Sequence, residues 1–565
     1  MKRSGRPGAA LLAAVLCGLY AFWMYGWRAV DPNSFAWLLQ GDSAQHYLGS
    51  VFFLAEPWHW PPGLITRFGD APTSVVFTDA IPLAALLAKL AGVPAGAQYF
   101  GLWMLVCHAL AGWFGLRLLQ RLGVATIPAL MGALLFAMSP ALLLRAYGHE
   151  ALMAHFLVLA ALERALSPWR WPGWLVLAAV AVLVHPYLAL MVGVLGAAAG
   201  CAALLERKTG VMTLAAQAVV SGLVLYGVAW AAGYFVGSGQ LSASGHGIFS
   251  SNLLTWVDPM DWAEFNRRYD TGTRYSSEWS RYLPAMKQAT GGQYEGFAYL
   301  GAGMLAIVLV AVIASMASLL TRRSTGTVLE TRKRIPGTRW AFALAACVAL
   351  ALLAVSARPS FGAHILTELQ LGESTRQALG VFRASGRFIW PLTYLLMAWA
   401  IARVCRLRGG AWLLLLLLVL QISDLNGKFK EFRGRFRFGP PQLAQAVVSP
   451  LWPALLARCP NLEMVSAAHP GFGWVGAGLA AGLAGARFYP APTARFSPEA
   501  EAQRLASVQR LLKDNAWRPG TVYLLAAPLP AGVDVNAVAG RLPAGMRHER
   551  ADGLDLVFSE RCRGG

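Results

Sequence analysis

The sequence predicts an α-helical protein that crosses a membrane many times and ends in a small α/β domain. Of its 565 residues, 56% are hydrophobic and 13% are charged, and the mean hydropathy is +0.49. Soluble domains carry about 25% charged residues, so this composition excludes an ordinary soluble protein. Apolar runs of about 20 residues, the length that crosses a bilayer as a helix, recur along the chain.

These apolar runs predict about eleven transmembrane helices. Because the first run is long and has no convincing cleavage site, we interpret it as a retained helix rather than a signal peptide. The run Ile81 to Leu90 is too short to cross and is typical of a re-entrant or interfacial helix. The predicted helices are centred near Leu16, Val106, Leu134, Phe156, Val180, Gly196, Leu223, Val308, Ala349, Leu396 and Leu417.

The distribution of charge indicates an orientation. If the N-terminus is cytoplasmic, the short inner loops collect Lys and Arg, whereas the outer loops hold most of the acids. The same bias explains the formal net charge of +20 without a nucleic-acid partner. We therefore expect residues 1–424 to form the transmembrane domain of a bacterial inner-membrane protein, surrounded by membrane lipids and with outer loops at 31–96 and 237–296.

The tail, residues 425–565, is expected to form a periplasmic α/β domain. Ala500 to Leu512 has a helical pattern, Thr521 to Ala527 is typical of a strand, and Asp552-Gly553 is typical of a hairpin turn.

Two cysteines bracket this tail. Cys459 and Cys562 are the two cysteines expected outside the membrane, and an oxidising periplasm would permit a disulfide between them. Closing a loop of roughly 100 residues could add up to about 4.7 kcal/mol of stability in the chain-entropy model. The alternative is a pair of unbonded thiols.

Two acids in the first outer loop are the leading catalytic candidates. Asp42 lies in GDSAQHY, residues 41–47, and Asp79 lies in FTDAIPL, residues 77–83. An ionisable group beside the bilayer is costly, which makes each acid a functional-site hypothesis. A carboxylate within hydrogen-bond reach can act as a general base. Each acid has an alternative role as the N-cap of the helix that follows it.

The residues around these acids extend the hypothesis. His46 and Tyr47 follow Asp42 closely and are expected to contact the substrate. If the two acids converge, their repulsion would raise the pKa of one carboxyl and make it a usable acid or base. A divalent cation, Mg²⁺ or Mn²⁺, between Asp42 and Asp79 is a further alternative that the sequence leaves open.

Basic residues near the outer helix ends are candidate phosphate ligands, since Arg presents a planar, permanently charged fork to two oxygens. Arg145 and His149 lie at the end of the third predicted helix, where His149 could bind phosphate or assist proton transfer. Arg383 and Arg387 would share one face if their segment were helical, and their repulsion would then favour an anionic partner. The alternative for these residues is anchoring at lipid headgroups.

The second outer loop is rich in aromatic side chains and carboxylates, including Glu295. This combination suits a sugar acceptor, and it also suits a loop that lies at the membrane interface.

Six segments together resemble an uncharacterised family of bacterial polytopic membrane proteins that is similar to the GT-C glycosyltransferase superfamily. The segments are GDSAQHY (41–47), FTDAIPL (77–83), QYFGLW (98–103), RAYGH (145–149), QYEGFAYLG (293–301) and SGRFIWP (385–391). The link to GT-C enzymes rests on a shared plan, in which a long outer loop with an early acid follows the first helix. The adjacent acidic pair of many GT-C enzymes is absent, since Ser43 follows Asp42.

The resemblance implies an inverting glycosyltransferase that takes a sugar from a polyprenyl-phosphate carrier and transfers it to an envelope glycan or lipid on the periplasmic face. Asp42 matches the first-loop acid of that plan and would act as the base. Asp79 would be a second acid or a metal ligand, and Arg383 and Arg387 would hold the phosphate. The alternatives are a transporter or flippase of lipid-linked glycans and a non-catalytic factor of envelope-glycan assembly.

Overall fold

The structure is a computed structural model. It describes residues 7–237, 247–261, 278–320, 335–438, 449–467, 474–491, 498–530 and 533–563. Residues 238–246 and 262–277 of the predicted second outer loop therefore lie outside the described residues.

The chain divides into two compact units. The first comprises Met1–Arg28, Phe100–Tyr226 and Ala243–Arg437. The second comprises Ala29–Tyr99, Gly227–Ser242 and Phe438–Gly565. The first outer loop and the tail thus belong to the same unit.

Eight helices in the described part of the chain are long and apolar enough to cross a membrane. Each of them coincides with one of the predicted centres, so the protein is a polytopic helical membrane protein. The eight are Pro7–Val30, Phe100–Arg121, Thr126–Tyr147, Pro186–Leu205, Val211–Ala232, Ala302–Leu320, Gly337–Val355 and Gly410–Phe436.

The other three predicted centres fall on shorter helices. Phe156–Ala165 has 10 residues, Trp171–Val184 has 14 and Trp390–Val404 has 15. A helix needs about 20 residues to cross the hydrocarbon core unaided, so a membrane crossing at these three positions stays a prediction. The run predicted to be too short forms the nine-residue helix Pro82–Leu90.

Helices of the first unit pack closely where small residues face one another. A β-carbon on Gly112 would lie 2.6 Å from both the carbonyl oxygen of Ala13 and Cys17 Sγ, so the absence of a side chain at position 112 lets the first helix, α1 (Pro7–Val30), pack closely on Phe100–Arg121. The unit also contains Glu373–Gly380, the hairpin of Ser360–Phe361 with His364–Ile365, and short 3-10 turns at Arg145–Tyr147, Glu150–Met153, Gln293–Gly296 and Ser385–Ile389.

One long helix, Gly410–Phe438, closes the first unit. Its buried Asp424 accepts hydrogen bonds from Tyr299 Oη and the Ala302 amide, both at 2.8 Å. Ser280 Oγ donates to the same carboxylate at 2.5 Å. The helix thereby fixes the chain on both sides of the 3-10 turn that carries Glu295.

The second unit is built on a five-stranded sheet formed by the tail. From one edge to the other, its strands are Arg487–Tyr489, Asn461–Val465, Val522–Leu525, Leu554–Ser559 and Met546–Ala551. The first three strands are parallel and the last two are antiparallel additions. Helices of the tail are Leu451–Arg458, Trp474–Leu483, Pro498–Asp514, Val535–Ala539 and Glu560–Arg563.

The tail follows the local pattern of its sequence. The helix and central strand lie where the sequence predicts them, and Asp552 and Gly553, with φ of 50° and 77°, turn the chain between the last two strands. Two consecutive left-handed residues are what a tight hairpin turn requires. Cys459 and Cys562 form a disulfide that joins two helix ends of this domain.

The first outer loop extends the same sheet. The Gly69 amide donates to the Phe488 carbonyl and the Phe488 amide donates to the Arg67 carbonyl, both at 2.9 Å. The helix Gly41–Ala55 of this loop, α2, packs on Trp474–Leu483, where Gly482 leaves room for Phe52. The tail is therefore one structural body with the first loop.

Candidate functional site

The acid Asp42 lies in the first turn of α2 and is exposed. The N-cap of this helix is Gln40, so Asp42 is not the N-cap that the sequence offered as an alternative. A carboxylate in the first turn still interacts favourably with the positive end of the helix dipole. The geometry around Asp42 is thus compatible with both a structural and a chemical role.

Asp79 is paired with a histidine of the same loop. His46 Nε2 lies 3.7 Å from Asp79 Oδ2, and the His46 side chain is 2% exposed whereas that of Asp79 is 25% exposed. A buried imidazole therefore backs a carboxylate that is partly open to solvent. This is an arrangement in which one group orients another that can act as a base.

Two contacts hold the Asp79 loop against α2, and a third, from Tyr99, holds the residue after the acid. A β-carbon on Gly49 would fall 2.3 Å from Thr78 Cβ, so only the absence of a side chain at position 49 lets Thr78 approach. Gln45 Nε2 donates to the Phe77 carbonyl at 3.4 Å. Beyond the acid, Tyr99 Oη donates to the Ala80 carbonyl.

The backbone just after Asp79 is strained. Asp79 has φ of 51° and Ile81 has φ of 57°, both in the left-handed region. Asp tolerates this region, but a β-branched residue there is a genuine outlier. Strain of about 1–3 kcal/mol per residue persists only where the surroundings impose it, and it concentrates at functional sites. Pro82 contributes, because a following proline disfavours the right-handed helical region for Ile81.

The capping alternative for Asp79 is also not observed. The N-cap of Pro82–Leu90 is Ile81, whose side chain makes no capping hydrogen bond. Asp79 lies two residues too early and its backbone turns the wrong way. Its local conformation is therefore not explained by helix capping.

Tyr47 packs inside the protein, and its side chain is not exposed to a substrate. Its side chain is fully buried, its hydroxyl donates to the Gly96 carbonyl at 2.7 Å, and its ring stacks on Phe35 at 5.3 Å. Burial raises the pKa of this phenol well above its ordinary value. The structure thus brings His46 to the acid but leaves Tyr47 behind it.

The first unit holds a separate buried charge cluster, centred on Glu295. Arg145 Nη1 donates to Glu295 Oε2 at 2.6 Å, and Arg387 donates to both carboxylate oxygens at 2.6 and 2.9 Å. The three side chains are 1%, 8% and 5% exposed for Arg145, Arg387 and Glu295. Two guanidinium groups from distant parts of the sequence therefore share one carboxylate. The sequence offers Glu295 as a residue that contacts a sugar acceptor or lies at the membrane interface.

The electrostatics of Glu295 follow from this arrangement. Burial by itself would raise the pKa of the carboxyl, but Arg387 and Arg145 outweigh burial and hold the pKa well below its ordinary value. His149 Nε2 lies 3.8 Å from Glu295 Oε1 and is 23% exposed, which makes it the accessible member of the cluster.

Arg383 and Arg387 do not share a helix face. Their segment forms a 3-10 turn at Ser385–Ile389, which begins after Arg383. Arg383 is exposed and lies over the Phe249 ring at 5.1 Å, whereas the Arg387 guanidinium is buried over Tyr187 at 4.7 Å. The expected repulsion between neighbours on one face therefore does not arise.

A second buried cluster escaped the sequence analysis. Lys428 is fully buried and its Nζ lies 3.0 Å from Glu431, which also accepts a hydrogen bond from Tyr147 Oη. Arg435 donates to the Ala146 carbonyl at 3.3 Å. The available signal was an acid and a base three residues apart at the end of a long apolar helix. This cluster and the one at Glu295 flank the same turn, Arg145–Tyr147.

Few protein side chains near Asp79 could bind a metal ion. Among the described residues, no three His, Cys, Asp or Glu side chains come together in a way that would hold a metal ion. Asp79 and His46 offer one oxygen and one nitrogen to a cation. A bound Mg²⁺ or Mn²⁺ would therefore take most of its ligands from water and substrate, as Mg²⁺ commonly does.

The spanning helices define a polytopic helical membrane protein whose first long loop, residues 31–96, is joined to the tail. Residues 14–426 match the family described as Domain of unknown function (DUF6311), and the chain belongs to this family. The matched region ends at residue 426, two residues into the tail. No curated protein matches the chain.

Proposed function

We propose that the protein is a membrane glycosyltransferase of GT-C type that transfers one sugar from a polyprenyl phosphate to an envelope glycan or lipid on the periplasmic face. The observation that carries this proposal is Asp79, a partly exposed carboxylate that lies near the strained backbone of Ile81 and is backed by the buried His46. A polytopic protein can admit a lipid-linked donor, and a partly exposed acid in a loop outside the spanning helices can meet its water-exposed sugar.

In the proposed reaction the general base is Asp79 and not Asp42, which the sequence favours, because Asp79 is the acid that lies beside the buried His46. The carboxylate takes the proton of an acceptor hydroxyl while the hydroxyl oxygen bonds to the anomeric carbon. The bond from that carbon to the phosphate oxygen breaks, and the electron pair leaves with the polyprenyl phosphate. Attack opposite the leaving group inverts the anomeric centre. His46 acts as the positioning residue of the Asp79 carboxylate. Asp42, which lies on the same helix as His46, is a second acid.

The departing phosphate needs a cation, and the arginines differ in how available they are. Arg383 is exposed and is the proposed phosphate ligand. Arg145 and Arg387 already donate to Glu295, so a phosphate would have to compete with that carboxylate. We assign these two arginines and Glu295 chiefly to holding the segments that carry Arg383 and His149.

The test is transfer of radiolabelled sugar from polyprenyl phosphate in membranes that contain the full chain. We expect Asp79→Asn to lower the rate at least 100-fold, since loss of a general base costs about 10²–10⁴. The matched control is Asp70→Asn, an exposed acid of the same loop, which should retain the wild-type rate. Wild-type transfer by the Asp79→Asn variant at an equal protein level would contradict the assignment.

One observation favours the transporter alternative. The candidate span Thr126–Tyr147 is interrupted, because its helix ends at Ala137 and a new one starts at Pro140. The span also carries the buried Arg145. Broken helices with buried charges are typical of substrate sites in transporters. The test is movement of a lipid-linked glycan across the membrane of proteoliposomes that contain the protein. Movement that Asp79→Asn does not change, with no sugar transfer, would favour this alternative.

A further inference from the structure

An open apolar groove runs along one exposed side of the first unit. It lies between α1 and the helix Phe100–Arg121, both long and apolar enough to cross a membrane. Every residue that lines the groove is apolar, and several are among the most exposed large side chains of their helices. The walls include Val15, Leu19, Phe22, Leu105 and Val106.

The floor of the groove exists because position 18 lacks a side chain. The nearest atom to a β-carbon built on Gly18 is Ala109 Cβ, at 3.7 Å, which is an ordinary van der Waals contact. The space above Gly18 is therefore open and not filled by a neighbour. A flexible hydrocarbon chain fits such a shallow channel, because it can follow the helix axis and exchange with the surrounding lipid.

One end of the groove is marked by aromatic side chains. Trp23 follows the wall residue Phe22 and is 49% exposed, and Trp27 one turn later is 66% exposed. Exposed tryptophans at one level of a spanning helix are typical of the headgroup region of a bilayer. The hydrocarbon part of the groove thus ends where lipid headgroups begin.

Two basic side chains, Arg433 and Lys430, lie near the level of Trp23. The Arg433 guanidinium stacks over the Trp23 ring at 4.8 Å, and both Arg433 and Lys430 are exposed. They belong to Gly410–Phe438, whose 29 residues span about 43 Å, well beyond a hydrocarbon core of about 30 Å. Phe429 fixes this extension against α1 through its contact with Trp23, with ring centroids 6.2 Å apart.

We propose that this groove binds an anionic phospholipid, with one acyl chain along Gly18 and the phosphate at Arg433 and Lys430. The groove supplies the apolar contact, and the two cations supply charge complementarity to the headgroup. Each basic residue near an anionic lipid surface contributes about 1 kcal/mol, which corresponds to about fivefold in affinity. The proposal does not depend on the glycosyltransferase function.

The test is native mass spectrometry of the full chain, released from detergent in the presence of phosphatidylglycerol or phosphatidylcholine. We expect one phosphatidylglycerol to be retained more tightly than phosphatidylcholine. Arg433→Gln should weaken phosphatidylglycerol about fivefold and leave phosphatidylcholine unchanged. Gly18→Leu, which fills the channel, should weaken both lipids.

The matched control is Arg408→Gln, an exposed arginine just before the other end of the same long helix. It should bind both lipids as the wild type does. All three variants should elute from gel filtration like the wild type, since position 18 has room and the two arginines are exposed. Equal retention of phosphatidylglycerol by the wild type, Arg433→Gln and Gly18→Leu would overturn the proposal. Displacement of the bound phospholipid by equimolar polyprenyl phosphate would overturn it too, by assigning the groove to a single-chain donor.

Discussion

Thr78 occupies the space that a side chain at position 49 would need, since its Cβ is 2.3 Å from a β-carbon built on Gly49. This contact places the Asp79 loop on α2 at the level of His46. Because a helical glycine is usually less stable than alanine, its presence here reflects the close approach of the loop. The pairing of Asp79 with His46 therefore depends on a residue that takes no part in the proposed chemistry.

We expect Gly49→Ala to displace the Asp79 loop. Overpacking of a buried contact costs about 1–3 kcal/mol, so the melting temperature should fall and sugar transfer should fall with it. The control is Gly193→Ala, a helical position with nothing within 4 Å of the new methyl group. A Gly49→Ala protein with the wild-type melting temperature and transfer rate would show that Thr78 moves freely.

We expect Glu295→Gln to destabilise the first unit strongly. Removing one partner of a buried ion pair costs about 3–5 kcal/mol, because Arg145 and Arg387 would lose their shared counter-charge. Thermal unfolding in detergent measures the effect. Glu373→Gln is the control, since its ion pair with Arg376 is more than 60% exposed on both sides and should contribute less than about 1 kcal/mol. Equal melting temperatures for the two variants would contradict the prediction.

The Glu295 carboxylate also predicts how the stability of the folded protein changes with pH. The pKa of Glu295 is lower in the folded protein than in the unfolded chain, so its contribution is fully present above the unfolded pKa, about 4.3. That contribution should disappear as the pH falls through the folded pKa. Between about pH 6 and 4, the melting temperatures of the wild type and Glu295→Gln should therefore stay apart, and they should converge in stronger acid. Convergence already at about pH 6 would show that the arginines do not lower the pKa.

The disulfide predicts that the stability of the tail depends on the redox state of Cys459 and Cys562. Cys459 and Cys562 are separated by 103 positions, and removing a native disulfide typically costs about 2–5 kcal/mol. We expect Cys459→Ser with Cys562→Ser to make the tail more sensitive to limited proteolysis, with little change in the transmembrane helices. The buried Cys347→Ser is the control for losing a thiol. Equal cleavage of oxidised and reduced wild-type protein would contradict this expectation.

The side of the membrane on which the tail lies depends on the three short helices, and Trp390–Val404 is the last of them. Its 15 residues span only about 22 Å, but the 3-10 turn Ser385–Ile389 adds about 10 Å, which together approach the thickness of the hydrocarbon core. We expect this segment to cross, which would place the tail outside with its disulfide in an oxidising compartment. A reporter enzyme that is active only in the periplasm, fused after residue 565, measures the outcome. A fusion after Thr209, in a predicted inner loop, is the cytoplasmic control, and activity of this second fusion alone would contradict the predicted orientation.

The hydropathy of the sequence was sufficient to predict a polytopic helical protein, because the cost of placing a residue in lipid depends on that residue and its neighbours along the chain. Local patterns likewise placed the hairpin at Asp552-Gly553. The pattern did not separate helices that reach spanning length from those that stop early, such as Phe156–Ala165. Helix ends depend on turns such as Glu150–Met153 and on tertiary contacts that hydropathy does not contain.

The candidate sites show the same division. The sequence singled out Asp79, His46, Arg145, Glu295 and Arg387 as polar residues in an apolar chain, but it did not show that Glu295 binds arginines 150 and 92 positions away. It also did not show that the first loop joins the sheet of the tail through Phe68 and Phe488. Composition is local and fixes which segments enter the membrane, whereas these pairings require distant segments to be brought together, which only the folded chain does.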